Sequence, residues 1–234
     1  MTSQKKYKFL LILQARTESR RLPKKVLKKL SSQELITVIL KRLKKSKLID
    51  KIVVATCKDK YYKNLIKIVK KNKIDFFIGS KKNVLKRYYD ASNRFNAKNI
   101  IRITADCPLV DWKMIDKMIL KFKKNKSDYY SNTLKRTYPD GLDIEIFTKK
   151  ALDYAYKFSK NSFQKEHVTN FIIQNKKFKK SFLSQKKNFG NLRFTIDEKK
   201  DFKFFKKVFN YFYPNIFFSW KEVIKLNINF NLNK

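Results

Sequence analysis

Two aspartates occupy corresponding places in this chain, each at the end of an apolar run: Asp106 in "IIRITAD" and Asp197 in "NLRFTID". A third run, "LLILQARTESRRLPKKVL" over residues 10–27, leaves its apolar part at Gln14 and enters a segment carrying Arg16, Arg20, Arg21, Lys24 and Lys25. Two carboxylates and a cationic loop suit a magnesium-bound triphosphate. Mg²⁺ prefers oxygen ligands and commonly takes one or two carboxylates together with phosphate oxygens and water. A simpler role stays open for each aspartate, because an Asp ahead of a helix serves as its N-cap.

Such residues converge only if the chain folds to bring strand ends together. Apolar runs of strand length, "YKFLLILQ", "KIVVATC", "DFFIG", "NIIRITA", "DYYSN", "DIEIF", "KSFLS" and "LRFTI", alternate with longer segments of helical period. Several runs are near-continuously apolar, as buried parallel strands are. Residues 34–46 put Leu35, Ile36, Ile39, Leu40 and Leu43 on one face, with Ser31 and Glu34 placed as a capping box, and residues 61–72 repeat the pattern. "NVLKRYYDASNRF", "DWKMIDKMILKF", "KKALDYAYKF" and "KEHVTNFIIQN" read likewise. The alternation predicts an open α/β sheet with helices on both faces, followed from about residue 126 by a mixed region that adds antiparallel strands and covers the site. No linker divides residues 1–234, so a single domain is expected, with a first half of about 1–125 and a second of about 126–234.

In open α/β sheets ligands bind beyond the carboxyl ends of the strands. The residues that follow the first strand, Gln14, Ala15, Arg16, Ser19, Arg21 and Lys25, and the two aspartates are therefore the primary candidates.

The charge balance of 58 Lys plus Arg against 19 Asp plus Glu, +39 in all, is a weaker signal. It points to anionic partners such as nucleic acid. An abundance of Lys, Asn, Ile, Phe and Tyr with only 3 Gly and 4 Pro also reads as a genome rich in A and T. A nucleic-acid binder would gather its lysines along one groove, whereas here they fall on nearly every expected helix, and no paired aromatic motif of an RNA-binding sheet is present. No run of about 18 apolar residues suggests a membrane span, and no signal peptide is evident. Cys57 and Cys107 make neither a disulfide framework nor a four-ligand zinc site, which fits a cytoplasmic setting. His167 is the only histidine.

The stretch "QARTESRRLPKKVLKKL" resembles the first motif of the cytidylyltransferases that make CMP-activated sugar acids, broadly Q/P-A-R-x-x-S-x-R-L-P-x-K. The likeness is strongest to the spore-coat-polysaccharide type, related to the 3-deoxy-manno-octulosonate and acylneuraminate cytidylyltransferases. "DKIVVAT", "GSKKNVLKRYYDAS", "IIRITADCPLVD", "YYSNTLKRTYPDGLDIEIF", "EHVTNFI" and "LRFTIDEKKDF" follow in the family's order across about residues 8–205.

The resemblance implies a nucleotide-diphospho-sugar-transferase fold, a Rossmann-like three-layer α/β/α sandwich with a mixed, mostly parallel sheet. It implies that Arg16, Ser19, Arg21 and Lys25 hold the triphosphate of CTP, that Asp106 and Asp197 bind Mg²⁺, and that Ser80, Thr104 and Ala105 lie where the nucleoside is held. It places Tyr138, Asp140, Asp143, Glu145 and Glu166 toward the sugar. The implied reaction is attack by a sugar-acid hydroxyl on the α-phosphorus of CTP with release of pyrophosphate. Arg16, Lys25, Asp106 and Asp197 would be its catalytic residues. A different nucleotide or acceptor is the alternative within the same chemistry. Homodimers are common among such relatives, and the aromatic tail "FNYFYPNIFFSW" suits either a core or an interface. Glu18 and Lys24 depart from the family pattern, which often has small residues there, frequently glycine.

Overall fold

The computed structural model describes residues 6–226. β1 (Tyr7–Gln14) is buried on both faces, with Phe9, Leu11 and Leu13 in one core and Leu10 and Ile12 in another. After a basic loop come a 3₁₀ turn at Lys25–Leu27, the short pair β2 (Lys29–Leu30) and β3 (Gln33–Glu34), and α1 (Leu35–Leu43). β4 (Lys51–Cys57), α2 (Tyr62–Lys71), β5 (Asp75–Gly79), α3 (Val84–Arg94), β6 (Ala97–Thr104) and α4 (Trp112–Asn125) follow in strict alternation. The remainder holds β7 (Tyr129–Ser131), β8 (Glu145–Thr148), α5 (Lys149–Phe158), α6 (Ser162–Glu166), α7 (Asn170–Gln174), β9 (Lys180–Phe182), α8 (Lys199–Tyr211) and α9 (Trp220–Lys225).

Seven strands form one sheet in the order β5-β4-β1-β6-β8-β7-β9. The first four are mutually parallel, β8 runs antiparallel to β6 and β7, and β9 is parallel to β7. Helices α1, α2, α4, α8 and α9 fill one face around Leu35, Ile39, Leu65, Ile115 and Phe205, and α3, α5 and α7 fill the other around Tyr88, Leu152 and Ile172. The expected α/β/α sandwich with a mixed, mostly parallel sheet is therefore what forms.

The chain leaves β1 toward β4 on one side, and β6 later pairs on the other, so the strand order reverses beside β1 and opens a crevice at its carboxyl end. Gln14 is in register with Ala55 and Thr104 along that rim. The loop after β6 is tied down by Arg42 of α1. Its buried guanidinium donates to the carbonyls of Leu109, Val110, Ile216 and Phe218, and burial lowers its pKa to about 10.

Three local expectations are corrected. "LRFTI" is not a strand: Leu192 and Arg193 make isolated bridge contact, Arg193 with Asp140, and Phe194, Thr195 and Ile196 have no strand structure. The helix expected over "KEHVTNFIIQN" is broken between α6 and α7, where Val168 is buried at φ 49. That conformation is costly for a β-branched residue. Ser31 does not cap α1. It turns the chain between β2 and β3 at φ 56, the N-cap is Glu34 without a side-chain cap bond, and Glu34 instead accepts from the Thr37 hydroxyl. The aromatic tail divides, with Phe209, Phe218 and Trp220 in the core and Tyr211 and Tyr213 exposed.

Candidate active site

The loop after β1 is held from below by a residue that carries no signal in the sequence. Asp59, buried just beyond β4, accepts the Thr17 N–H at 2.7 Å, the Glu18 N–H at 3.1 Å and the Thr17 hydroxyl at 2.5 Å. Lys24 N–H closes the loop on Thr17 O at 2.9 Å. Ala15 and Ala105 continue the ladder, donating to Ala55 O and Gln14 O, so the first turns beyond β1 and β6 lie side by side. Asp59→Ala is expected to destabilise the protein by about 1–3 kcal/mol, since it strips acceptors from two backbone N–H groups. Asp59→Asn, which keeps one acceptor oxygen, should cost less. Chemical denaturation measures both, and an unchanged midpoint in Asp59→Ala would mean the loop keeps its shape unaided.

Both departures in this loop have physical accounts. Glu18 faces Lys81, at 2.5 Å from its Nζ, and accepts the Lys60 N–H at 3.3 Å. Its charge is thus neutralised across the mouth of the loop. Lys24 adopts φ 58, a conformation that glycine takes freely and other L-residues take at a cost. Its ammonium sits 3.9 Å over the Tyr61 ring, a cation–π contact that offsets part of that cost.

Lys25 enters the 3₁₀ turn and turns inward, only 9% exposed. Its Nζ donates to Asp106 Oδ2, Asp197 Oδ1 and Ile196 O, each at 3.0 Å. The two aspartates, 91 positions apart in sequence (197 − 106), thus meet on one ammonium. Burial alone would lower the lysine pKa, but the two carboxylates outweigh it and hold it above its ordinary value. Burial likewise opposes ionisation of Asp106, and Lys25 with hydrogen bonding overcomes it, so the Asp106 pKa lies below the usual carboxylate range.

Neither aspartate caps a helix: α4 is capped by Asp111 and α8 by Glu198, which forms a capping box with Asp201. Asp197 is instead placed by backbone and side-chain pairing. Ile196 N–H donates to Asp106 O at 2.8 Å, and Asp201, in a bidentate pair with Arg193, accepts the Asp197 and Glu198 N–H groups.

The other loop cations face outward. Arg21 is 60% exposed and reaches Asp197 at 3.3 Å and Glu198 at 3.6 Å. Arg16 is exposed and, among the described residues, makes no ion pair. Ser19 accepts the Leu22 N–H within the loop. The Gln14 side-chain oxygen is buried and, among the described residues, without a partner. Ser80 lies in the turn before α3, where its hydroxyl accepts the Asn83 N–H and its carbonyl accepts from the buried Arg87. Arg87, whose pKa is lowered by burial, is a second residue that sequence reasoning passed over.

Beside Thr104 opens a cavity of about 350 Å³, lined by Arg102, Arg136, Asp143, Glu145 and His167 among others. Of the residues expected near the sugar, Asp143 and Glu145 line it. Tyr138 packs edge-on against Trp220 in the core, Asp140 lies near Arg136 at 3.8 Å, and Glu166 is exposed at the end of α6. Among the described residues no group of three or more His, Cys, Asp or Glu side chains stands ready to hold a metal by itself.

The model of one family, described as cytidylyltransferase, matches residues 10–223. The chain belongs to the cytidylyltransferase family. Among its relatives, an uncharacterized protein of Methanocaldococcus jannaschii is 38% identical over 208 residues, 88% of this chain and 84% of that one. The spore coat polysaccharide biosynthesis protein SpsF of Bacillus subtilis is 31% identical over 86% of this chain and 85% of its own. A solved cytidylyltransferase from Leptospira borgpetersenii superposes with a TM-score of 0.89 at 32% identity, covering 94% of this chain and 93% of that one. CMP:2-keto-3-deoxy-manno-octonic acid synthetase, solved with CTP, superposes at 0.67 over 87% of this chain and 99% of its own, a likeness of fold at 12% identity. The matched region of this cytidylyltransferase contains the basic loop, both aspartates and the cavity beside Thr104. No helix among the described residues is long and apolar enough to cross a membrane.

Proposed function

We propose that this cytidylyltransferase transfers CMP from CTP to a hydroxyl of a sugar acid, releasing pyrophosphate, in the synthesis of a surface polysaccharide or glycoconjugate. The observation that carries the reading is the meeting of Lys25, Asp106 and Asp197 at the carboxyl rim of β1 and β6, next to a loop with three exposed arginines, Arg16, Arg20 and Arg21. The relation to a spore coat polysaccharide biosynthesis protein supports the pathway class.

Arg16 and Arg21 bind the triphosphate through guanidinium groups that form parallel hydrogen bonds to phosphate, and Lys25 supplies a fixed positive charge at the base of the loop. Gln14, Ser80, Thr104 and Ala105 border the nucleoside, whose donors satisfy the unpartnered Gln14 oxygen. Asp106 and Asp197 fit a divalent ion that draws its other ligands from phosphate and water, since two carboxylates at one point do not form a complete cage. They would hold Mg²⁺, which when bound neutralises phosphate charge and favours the alkoxide form of the attacking hydroxyl. In the transfer the hydroxyl gives up its proton to solvent, its oxygen bonds to the α-phosphorus, the bond from that phosphorus to the bridging oxygen breaks, and pyrophosphate leaves. Positioning and charge stabilisation by these residues supply most of the rate.

Calorimetry tests the nucleotide reading. CTP is expected to bind with Mg²⁺ present and poorly after chelation, and equal heats in both conditions would remove the metal from the site. Arg21→Ala should weaken CTP binding by about 1.5–3 kcal/mol, the range of a charge-assisted hydrogen bond, and Lys124→Ala at the exposed end of α4 should not. Equal losses in the two variants would reduce the loop to general electrostatics. Pyrophosphate release across a panel of sugar acids then tests the acceptor.

A further inference from the structure

We propose that Arg136 is the seat for the carboxylate of the acceptor, and that Asp143 is a resident stand-in displaced when the acid binds. The proposal rests on the sugar-acid reading above and specifies how that acid is recognised.

Two arginines face the cavity beside Thr104. Arg102 is committed: it pairs with buried Glu145, which also accepts from the Tyr129 and Thr169 hydroxyls at 2.6 Å each. Removing Glu145 from that set would strand a buried carboxylate, which is strongly unfavourable. Its guanidinium is also hydrogen-bonded with the buried Tyr88, and its Nε is buried and, among the described residues, without a partner, so this arginine is held in place by its own surroundings.

Arg136 differs on each point. Its two terminal nitrogens meet the two oxygens of Asp143 at 2.8 Å each, the fork geometry in which guanidinium binds any carboxylate. The side chains are 27% and 32% exposed, so the pair can be reached and exchanged. The backbone beneath is fixed. Thr137 is bonded to Gln185 and Phe189, Asn132 clasps Leu142 and Ile144, and Gly141 at φ 98 lies so close to Phe194 that an added Cβ would sit 2.5 Å from its backbone. The guanidinium is therefore presented from a rigid loop, already shaped to a carboxylate.

Charge balance decides that exchange, not addition, is required. Arg102 with Glu145 and Arg136 with Asp143 leave these four groups neutral as a set, and Asp140 stands 3.8 Å from Arg136. A further carboxylate admitted without loss would be uncompensated against partly buried walls. Asp143 is the member that can yield. Burial pushes its pKa above the ordinary value despite Arg136, and Asp140 and Glu145 push the same way. Arg102 and His167 also line the cavity around it, and Cys107 lies within its electrostatic reach. Released from Arg136, Asp143 takes up a proton and neutrality is kept, so acid binding is accompanied by proton uptake and tightens as pH falls.

The test uses a sugar acid that the parent cytidylylates, with KM for acceptor and CTP measured separately across pH and thermal melts run beside them. Asp143→Asn keeps the shape and removes the competing charge. It should lower the acceptor KM several-fold above neutral pH, flatten its pH dependence and leave the CTP KM unmoved. Arg136→Lys should raise the acceptor KM by about tenfold or more with little change in the CTP KM, because an ammonium cannot form the bidentate pair. Calorimetry in two buffers of different ionisation enthalpy should find proton uptake in the parent and none in Asp143→Asn. A raised acceptor KM in Asp143→Asn, or an unmoved one in Arg136→Lys, overturns the seat while leaving the sugar-acid reaction standing. A parent that binds CTP but cytidylylates only neutral sugars overturns both.

Discussion

Asp106→Asn and Asp197→Asn are each expected to give folded protein that has lost metal-dependent turnover by about a hundredfold or more, the scale on which removing a single charge-stabilising group acts in a preorganised site. Had either aspartate been a helix cap, asparagine would be a mild replacement, because it caps about as well. The caps of α4 and α8 are Asp111 and Glu198, so that escape is closed. Stability should change little in the single variants, since Lys25 keeps the Ile196 carbonyl and one of its two carboxylates in either case. The double variant should lose little more activity than each single one, because groups that act as one unit are non-additive. Pyrophosphate release measured beside thermal melts separates the outcomes. Near-parental turnover in a folded single variant would remove that residue from the proposed metal site.

The parts of this site that were legible in the sequence share a physical cause. β1, β4 and β6 are buried on both faces and therefore read as continuous apolar runs, and the residues that follow them stand out as abrupt changes of character. Asp197 stands out in the sequence by a false analogy. Its run looks like a strand but is carried by isolated bridge contact and a few backbone bonds to Asp140 and Asp106, and the convergence with Asp106 comes from those contacts. Residues whose role depends on distant partners were illegible. Asp59 follows Cys57 and Lys58 as an ordinary polar turn residue, and only the folded loop shows two backbone N–H groups aimed at it. Arg42 looked like one cation among many on an amphipathic helix until four carbonyls closed around it. The break between α6 and α7 is similarly tertiary. The helical period runs through Val168 without interruption, but the buried Val168 side chain and the Thr169 hydroxyl on Glu145 hold the chain in a turn.

The second large effect is expected at Lys25, and it tests the metal site without needing any substrate. Lys25→Met keeps a side chain of similar length and removes the ammonium that Asp106 Oδ2 and Asp197 Oδ1 share. Each oxygen lies 3.0 Å from Nζ, so the two are at most 3.0 + 3.0 = 6.0 Å apart and would face each other uncompensated. Breaking a buried ion pair from one side costs roughly 3–5 kcal/mol, and carboxylates one-quarter exposed place this case near the lower end. For a chain of this size that is a fall in Tm of about 6–12 °C. The deficit should depend on pH in a defined direction. Asp106 has its pKa depressed by Lys25, so the stability it contributes in the parent is present above the ordinary carboxylate value and lost as pH falls through the depressed one. Lys25, with its pKa raised, contributes fully below its ordinary value and loses that contribution as pH rises through the raised one. The gap between parent and variant should therefore be widest near neutral pH and close toward both extremes. Mg²⁺ should narrow it as well, because a divalent cation between the two carboxylates replaces the missing charge, and stabilisation by a ligand that binds only the folded state grows with its concentration. Thermal melts of parent and Lys25→Met with and without Mg²⁺ measure this directly. A variant destabilised as expected but indifferent to Mg²⁺ would show that Asp106 and Asp197 are counter-ions to a lysine and not the seat of a metal.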